Sequence, residues 1–294
     1  MFSINKSYSQ KASNIISADF AIRDFTITKD SIFYIKKRDA FLLDKKNQSQ
    51  DHYFIGGYGL EIYAKESSNM IVTASNELVR NVSSVRFYNK KTEKFDDVFY
   101  YKKGKIIDFL FIPEAELFVL SLTNKKIVFI DYSEKPKFYK TIELNLNALS
   151  RKLIFKNNKV YFATDNGEIY EYDFYNYKKE LVYNTSKLIT DFIINENEII
   201  YTTIKGEIIK VNRNSQETEK IKFKNTFIST FENVDGTLIC GGWNGEIFII
   251  REKPFTLLKE LNLHKRTILK IKPYKNNIIY TSSLDKTIKK WNLN

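Results

Sequence analysis

The sequence predicts an all-β fold built from seven copies of one structural unit. Short β-branched and aromatic segments such as Lys159–Ala163 and Ile199–Thr202 recur along the chain, and residues of these types favour pleated, packed strands. Helical periodicity is hard to find in any segment. One apolar position also recurs at intervals of 39 to 45 residues, at Ala40, Val85, Ile127, Ile169, Ile208, Ile247 and Ile288. We call these seven residues the marker positions.

The last hairpin of the chain shows what the repeated unit is. Ile278–Thr281 and Thr287–Trp291 are predicted strands joined by a turn that contains Asp285. An aspartate in the turn and a tryptophan six residues later resemble the closing hairpin of a WD40 repeat, which has four strands in roughly 40–45 residues. The resemblance implies a seven-bladed WD40-like β-propeller. A chain of 294 residues gives about 42 per blade, so we expect a single domain over residues 1–294.

The two ends of the chain predict how the ring closes. The sequence stops three residues after Trp291, so the last blade lacks an outer strand. In the WD40 family an N-terminal strand completes that blade, and closure removes exposed strand edges. We assign this strand to Phe2–Ser9 and expect that deletion of Met1–Gln10 destabilises the ring.

The composition indicates the cellular compartment of the protein. The single cysteine, Cys240, excludes an intrachain disulfide and favours a reducing compartment. The first residues lack the apolar core of a secretory signal, and no run approaches the ~18 apolar residues of a membrane span. We therefore expect a cytoplasmic, monomeric propeller.

The formal net charge of +12 has two interpretations. It could be the footprint of a nucleic-acid or acidic partner. It could also reflect composition, because lysine greatly outnumbers arginine, whereas readers of base edges rely on arginine. Lysine pairs such as Lys178–Lys179 fit solvated blade edges. A nucleic-acid- or ribonucleoprotein-associated subunit therefore remains the alternative to a protein-binding scaffold.

The resemblance implies a buried hydrogen-bonded network in the last blade. Its members would be a histidine before the first strand, a hydroxyl on the second strand, the turn aspartate and the tryptophan. This sequence supplies them as His264, Thr281 or Ser283, Asp285 and Trp291. The aspartate would accept from the imidazole, the imidazole would meet the hydroxyl, and the hydroxyl would accept the indole N–H. A catalytic triad is the other interpretation, but it requires an exposed nucleophile.

The other blades depart from the family pattern. The position of Trp291 in the last blade is taken by Ile250, Val211, Tyr172 and Asp131 in the preceding ones. These blades are therefore expected to depend on apolar packing.

The resemblance also places binding at one end of the ring. In WD40 propellers, the turns between the second and third strands and the loops leading into each blade surround the narrower channel mouth. Trp243 lies in such a turn and is either an interface residue or folded over its own turn. Exposed tryptophan and arginine are enriched at binding hot spots. The candidate partner-binding residues are Arg38, Lys125, Asn166, Lys205, Trp243, Asn244, Lys265 and Arg266.

Little in the sequence points to catalysis. Two histidines and one cysteine are too few for a usual zinc site, and a carboxylate pair at the channel mouth is the option left open. Three glutamates occupy equivalent repeat positions, and we interpret them as structural residues: Glu168, Glu207 and Glu246. The sequence thus predicts a non-enzymatic protein-interaction scaffold without metal or cofactor, as a subunit of a larger complex.

Overall fold

The computed structural model describes residues 12–53, 59–66, 70–77, 79–132, 140–275 and 277–293. Within them, four-stranded antiparallel sheets form the seven blades of a β-propeller. A short 3-10 helix, Pro113–Ala115, interrupts the third blade. The predicted all-β, seven-bladed fold is confirmed.

The strands follow the chain in regular order. Their bounds are β1 Ser13–Ser17, β2 Ile22–Ile27, β3 Ser31–Lys36, β4 Asp39–Asp44, β5 Gln50–Tyr53, β6 Gly59–Glu66, β7 Met70–Glu77, β8 Ser83–Asn89, β9 Lys94–Tyr101, β10 Ile106–Ile112, β11 Leu117–Leu122, β12 Lys126–Asp131, β13 Lys140–Asn145, β14 Ser150–Lys156, β15 Lys159–Thr164, β16 Glu168–Asp173, β17 Lys178–Asn184, β18 Ile189–Ile194, β19 Glu198–Thr203, β20 Glu207–Asn212, β21 Thr218–Lys222, β22 Ile228–Val234, β23 Thr237–Gly242, β24 Glu246–Arg251, β25 Thr256–Asn262, β26 Ile268–Tyr274, β27 Ile278–Ser283 and β28 Thr287–Asn292.

Each of blades 1 to 6 is a meander of four strands that are consecutive in the chain. Blade 1 is β2–β5, blade 2 is β6–β9, blade 3 is β10–β13, blade 4 is β14–β17, blade 5 is β18–β21 and blade 6 is β22–β25. The first strands of neighbouring blades pack against one another at six of the seven junctions, including β26 against β2. At the remaining junction, β10 packs against β7, the second strand of blade 2. First strands therefore line the central channel, and fourth strands lie outside.

Blade 7 is completed by the N-terminal strand. Its order is β26–β27–β28–β1, and β1 pairs antiparallel with β28. Closure by an N-terminal strand is confirmed, but its assignment to Phe2–Ser9 is wrong, because the strand is Ser13–Ser17. The reason is apolar burial: Ile16 packs with Ile22 and Ile288 in the cluster between blades 7 and 1. The segment Met1–Gln10 lies outside the described residues.

The hydrophobic core is divided among the interfaces between blades. Seven buried clusters are found in the described residues, and each joins one pair of neighbouring blades. The seven marker positions lie on the third strands, and all have 0% exposed surface. Ile250, Val211 and Tyr172 are also buried. The assignment of Asp131 to this position is wrong by one residue, because the strand register places the buried Ile130 there. Apolar packing thus replaces the tryptophan in these blades, as expected.

Candidate functional site

The turns between second and third strands, together with the segments leading into the blades, form one end of the ring. We call this end the rim, made of residues 18–21, 37–38, 102–105, 123–125, 146–149, 165–167, 185–188, 204–206, 223–227, 243–245, 263–267 and 284–286. Backbone hydrogen bonds of 2.8–3.1 Å tie the two sets of segments together in blades 3 to 7. They run from Leu146, Thr185, Phe223, His264 and Ala18 N–H to the carbonyls of Lys125, Gly167, Gly206, Gly245 and Lys286.

The last turn position requires glycine for two reasons: the backbone has a positive φ there, and there is no room for a side chain. Gly206 and Gly245 have φ of +73° and +96°, which L side chains rarely adopt. A Cβ on Gly245 would lie 2.4 Å from the His264 carbonyl oxygen. These turns are therefore fixed closely against the following loop.

All eight candidate partner-binding residues are exposed and lie on the rim. They are Arg38, Lys125, Asn166, Lys205, Trp243, Asn244, Lys265 and Arg266. The structure brings only some of them together. Lys205 and Trp243 line one groove, whereas Arg38, Lys125 and Asn166 lie on blades 1, 3 and 4, outside the groove's described lining.

Trp243 is packed on one side and open on the other. Its ring lies 4.7 Å from the Phe227 ring, measured between centroids, at 31°. Its backbone N–H donates to the Phe227 carbonyl at 3.0 Å, and its carbonyl accepts from Thr267 Oγ1 at 2.8 Å. Half of the residue surface, 50%, remains exposed. The indole therefore packs on the loop leading into blade 6 and still presents a face to solvent.

An open groove of about 510 Å³ lies between blades 5 and 6 at this point. Its apolar lining comes from Trp243, Phe227, Phe223 and Ile204, and Ile204 is 52% exposed. The remaining lining residues are Lys205, Lys222, Lys224, Asn225 and Thr226. We call this feature the rim groove.

Sequence reasoning missed Ile204 and Phe227 as parts of the site. The repeat alignment could have indicated Ile204. It is the first residue of the turn between the second and third strands, as are Trp243 one blade later and Leu284 two blades later. Thr123 and Asp165 hold that position in blades 3 and 4. Phe227 carried no signal, because only the fold brings its loop against Trp243.

The predicted network is built around a buried imidazole. His264 Nδ1 lies 2.9 Å from Asp285 Oδ2, and Nε2 lies 2.9 Å from Thr281 Oγ1. Asp285 also accepts from the Lys265 backbone N–H at 3.1 Å and from Thr287 Oγ1 at 2.7 Å. Burial lowers the pKa of His264, although Asp285 partly opposes it. Burial pushes the Asp285 pKa upward, but its hydrogen bonds outweigh this and lower it.

Two expected members of the network behave differently. The expected bond from the Trp291 indole to the Thr281 or Ser283 hydroxyl is not made. The indole Nε1 is buried and has no hydrogen-bond partner among the described residues. Trp291 instead packs in the apolar cluster between blades 6 and 7. Ser283 Oγ donates to the Arg266 carbonyl at 2.8 Å and accepts from the Asp285 N–H at 3.0 Å. It thus fastens the turn to the loop rather than joining the imidazole.

The arrangement Asp285–His264–Thr281 has the order of a catalytic triad but lacks an accessible nucleophile. The Thr281 side chain has 0% exposure, and so does Ser283. Because a triad requires an exposed hydroxyl, the geometry fits a structural network that rigidifies blade 7.

The central channel contains a second cluster of charged residues. Each first strand has a register shift near its start. Asp108 and Asp191 follow these bulges and reach the next blade: Asp108 Oδ2 accepts from Leu153 N–H at 2.7 Å, and Asp191 Oδ2 from Phe231 N–H at 3.1 Å. Both carboxylates thereby join neighbouring first strands.

Lys152 lies between the channel carboxylates. Its Nζ is 3.1 Å from Asp191 Oδ1. Burial opposes its charge, but Asp191, Asp108 and Glu232 outweigh burial and raise its pKa. Burial also raises the pKa of Glu232, against the effect of Lys152. These side chains border two cavities of about 320 and 210 Å³, whose linings share Asp108 and Lys152.

The equivalent glutamates Glu168, Glu207 and Glu246 are engaged at their own turns. Glu168 accepts from Asn166 Nδ2 at 2.9 Å, and Glu246 accepts from the Asn244 N–H at 3.0 Å. Glu207 is paired with Lys187 at 3.0 Å. The structural interpretation of the three residues agrees with these contacts.

The described residues offer neither a cluster of metal ligands nor a helix that could span a membrane. They contain no group of three or more His, Cys, Asp or Glu side chains arranged to hold a metal ion. Over the same ranges, no helix has the length and apolarity needed to cross a membrane.

Comparison with known proteins identifies the fold. No protein-family model matches the chain, and no curated protein does. Among solved structures, the WD40 β-propeller domain of Doa1 superposes with a TM-score of 0.74 at 13% identity, covering 97% of both chains. The computationally designed Ika8 protein gives a TM-score of 0.71 at 12% identity, covering 97% of this chain and 100% of its own. The chain therefore has the fold of a WD40-type, seven-bladed β-propeller.

Proposed function

We propose that the chain is a non-enzymatic scaffold that binds a protein partner through its rim, as a subunit of a larger cytoplasmic complex. The observation that carries the proposal is the rim groove. Trp243 and Ile204 together expose apolar surface at turns where solvated residues are the norm. Exposed apolar patches rimmed by polar residues mark protein interaction sites, and aromatic anchors dominate their binding energy.

The chemistry of the other clusters supports a binding role over a catalytic one. The Thr281 hydroxyl is buried. In the channel, Asp108 and Asp191 accept backbone N–H groups, and Asp191 also pairs with Lys152. The hydroxyl is bonded to His264 within blade 7, and the channel groups join neighbouring blades.

The test is capture of partners from native extract by the tagged full chain and two variants. Trp243→Ala is expected to lose the partner while keeping its melting temperature, because truncation of an anchor can cost 2 kcal/mol or more. Tyr175→Ala is the matched control: this exposed aromatic lies in the β16–β17 turn, at the opposite end of its strands. A partner retained equally by Trp243→Ala would refute the proposal.

The lysines favour a second candidate, a nucleic-acid-associated subunit. Lys205, Lys222, Lys224, Lys265 and Arg266 are exposed, and none pairs with a carboxylate among the described residues. Affinity through about six phosphate contacts would fall by ~10³ between low and moderate salt. Nuclease treatment and washes at two salt concentrations therefore separate the candidates in the same capture experiment.

A further inference from the structure

We propose that the segment bound in the rim groove is an acidic peptide carrying one large apolar side chain. The inference rests on the proposed function and specifies the chemistry of the partner. It follows from three features of the groove and its surroundings. These are an arc of apolar side chains, a set of cations without ion-pair partners, and nearby carboxylates that already have partners of their own.

The apolar arc spans three successive blades. Ile204, Trp243 and Leu284 occupy the same first turn position in blades 5, 6 and 7. Ile204 and Trp243 are each about half exposed, and Leu284 is partly exposed. The equivalent Asp165 in blade 4 is polar and is bonded by Arg151. The rim therefore has an apolar sector over blades 5 to 7. Elsewhere on the same end, Phe20 and Val79 are exposed singly, on blades 1 and 2.

Five cations lie at two places within this sector. Lys205, Lys222 and Lys224 line the groove itself. Lys265 and Arg266 lie in the loop leading into blade 7, which is bonded to Trp243 through the Thr267 hydroxyl. All five side chains are exposed, and none has an ion-pair partner among the described residues. Their charge is therefore available to a ligand.

The neighbouring carboxylates cannot neutralise these cations without breaking existing contacts. Glu207 is held by Lys187 at 3.0 Å and by Lys220 at 3.4 Å, and the Lys187 hydrogen bond lowers its pKa. Glu246 accepts from Asn244 and from Thr226 Oγ1. Within its described lining, the groove contains no acidic residue. A ligand with several carboxylates would complement it.

The apolar part of the groove selects a protein side chain over a nucleic acid. Phe227 covers one face of Trp243, and Ile204 is aliphatic and offers no stacking surface. Single-stranded nucleic acids bind along series of aromatic platforms. In the described part of this sector Trp243 is the one aromatic ring that is half exposed, and Phe227 is packed against it. An aliphatic or aromatic side chain fits between Trp243 and Ile204. A volume of about 510 Å³ lies within the range of ligand-binding clefts.

The test is selection of short random peptides on the immobilised full chain, with counter-selection against Trp243→Ala. Enriched peptides are expected to contain a large apolar residue flanked by Asp and Glu. Their affinities are then measured by fluorescence anisotropy at two salt concentrations, with a single-stranded oligouridine as the nucleic-acid probe.

Two sets of variants make the test specific. Trp243→Ala is expected to weaken the enriched peptides by about 30-fold or more. The combination Lys205→Glu, Lys222→Glu and Lys224→Glu should weaken them at least about tenfold, because like charges across an interface repel. The control combination Lys46→Glu, Lys178→Glu and Lys253→Glu makes the same charge change at the opposite end, in two turns and at the start of β17, where each lysine is exposed and in an ion pair. It is expected to leave binding unchanged.

Several results would overturn the inference. These are enrichment of neutral or basic peptides, no enrichment, equal binding by the rim and control charge variants, or oligouridine binding that depends on Lys205, Lys222 and Lys224. Failure here is distinct from failure of the proposed function. A native partner lost on Trp243→Ala but bound through a non-acidic segment keeps the scaffold and rejects the acidic peptide. If the native partner binds Trp243→Ala as well as it binds the wild type, both the scaffold proposal and the acidic-peptide proposal are rejected.

Discussion

At the scale of single residues, the blade 7 network explains why a histidine is buried beside an aspartate. The imidazole has a partner on each ring nitrogen, Asp285 and Thr281. A buried polar group that is fully bonded costs little, whereas an orphaned one costs about 1–3 kcal/mol. The network therefore ties the loop leading into blade 7 to the β27–β28 hairpin.

The state of His264 predicts a pH dependence of stability. Burial lowers its pKa in the folded protein, while the unfolded chain protonates near its ordinary value of about 6.5. Below that pH the unfolded state binds the extra proton, so the stability conferred by His264 is present above about 6.5 and is lost as pH falls. The slope for one proton is about 1.4 kcal/mol per pH unit.

Chemical denaturation at two pH values tests this prediction. His264→Gln is expected to unfold about 1–3 kcal/mol more easily than the wild type at pH 7.5, and the difference should shrink toward pH 5. His52→Gln, at a half-exposed site, is the control and should change stability by less than about 0.5 kcal/mol at pH 7.5. A wild-type advantage that is constant with pH would contradict the account of His264.

At the scale of elements, the sequence was informative about strands and poor about the contacts between blades. The marker positions predicted the third strands because a buried apolar residue must recur wherever the same hairpin packs. The closing strand was misplaced because Ser13–Ser17 has no repeat partner to align with. Nothing local in the sequence indicated that Asp191 contacts Phe231, since that bond joins residues of different blades.

The contacts of Asp191 predict a strong destabilisation when it is removed. Asp191→Ala leaves the Phe231 N–H without its acceptor and Lys152 without the carboxylate at 3.1 Å. We expect a loss of about 3 kcal/mol, because the partly buried Lys152 ammonium loses its carboxylate and the buried Phe231 N–H loses its acceptor. Urea denaturation measures the loss directly.

The matched control for Asp191→Ala is a more exposed ion pair. Asp165→Ala removes the partner of Arg151, whose side chain is exposed, and pairs of this kind contribute about 0–1 kcal/mol. Equal stabilities of the two variants would mean that the channel carboxylates do not hold the blades together.

At the scale of the whole molecule, the ring is held by seven equivalent interfaces, and one of them depends on the N-terminus. β1 covers the edge of β28, and Ile16 contributes to the cluster between blades 7 and 1. Because each cluster joins two blades, loss of one interface opens the ring rather than removing a local contact.

Deletion of residues 1–17 is therefore expected to destabilise the whole propeller. Loss of a buried apolar side chain costs about 2–5 kcal/mol, which corresponds to a fall in Tm of roughly 5–10 °C or more in a protein of this size. The deletion of residues 1–11, which keeps β1, is the comparison. Equal melting temperatures of the two truncated proteins would show that β1 does not close the ring.

The same closed ring positions the rim residues that form the proposed binding surface. The sequence predicted Trp243 and its basic neighbours one by one, from turn positions. Their grouping with Ile204 and Phe227 could not be predicted, because it depends on the packing of blade 5 against blade 6.

The measurement that tests the central claim most directly is hydrogen–deuterium exchange of the full chain, free and in complex with the partner captured from native extract. Binding through the rim predicts slowed exchange at residues 204–206, 223–227 and 243–245. The turns at the opposite end, residues 45–49, 174–177 and 252–255, should exchange at the same rate in both states. Protection confined to those opposite turns, with the rim unchanged, would contradict the account.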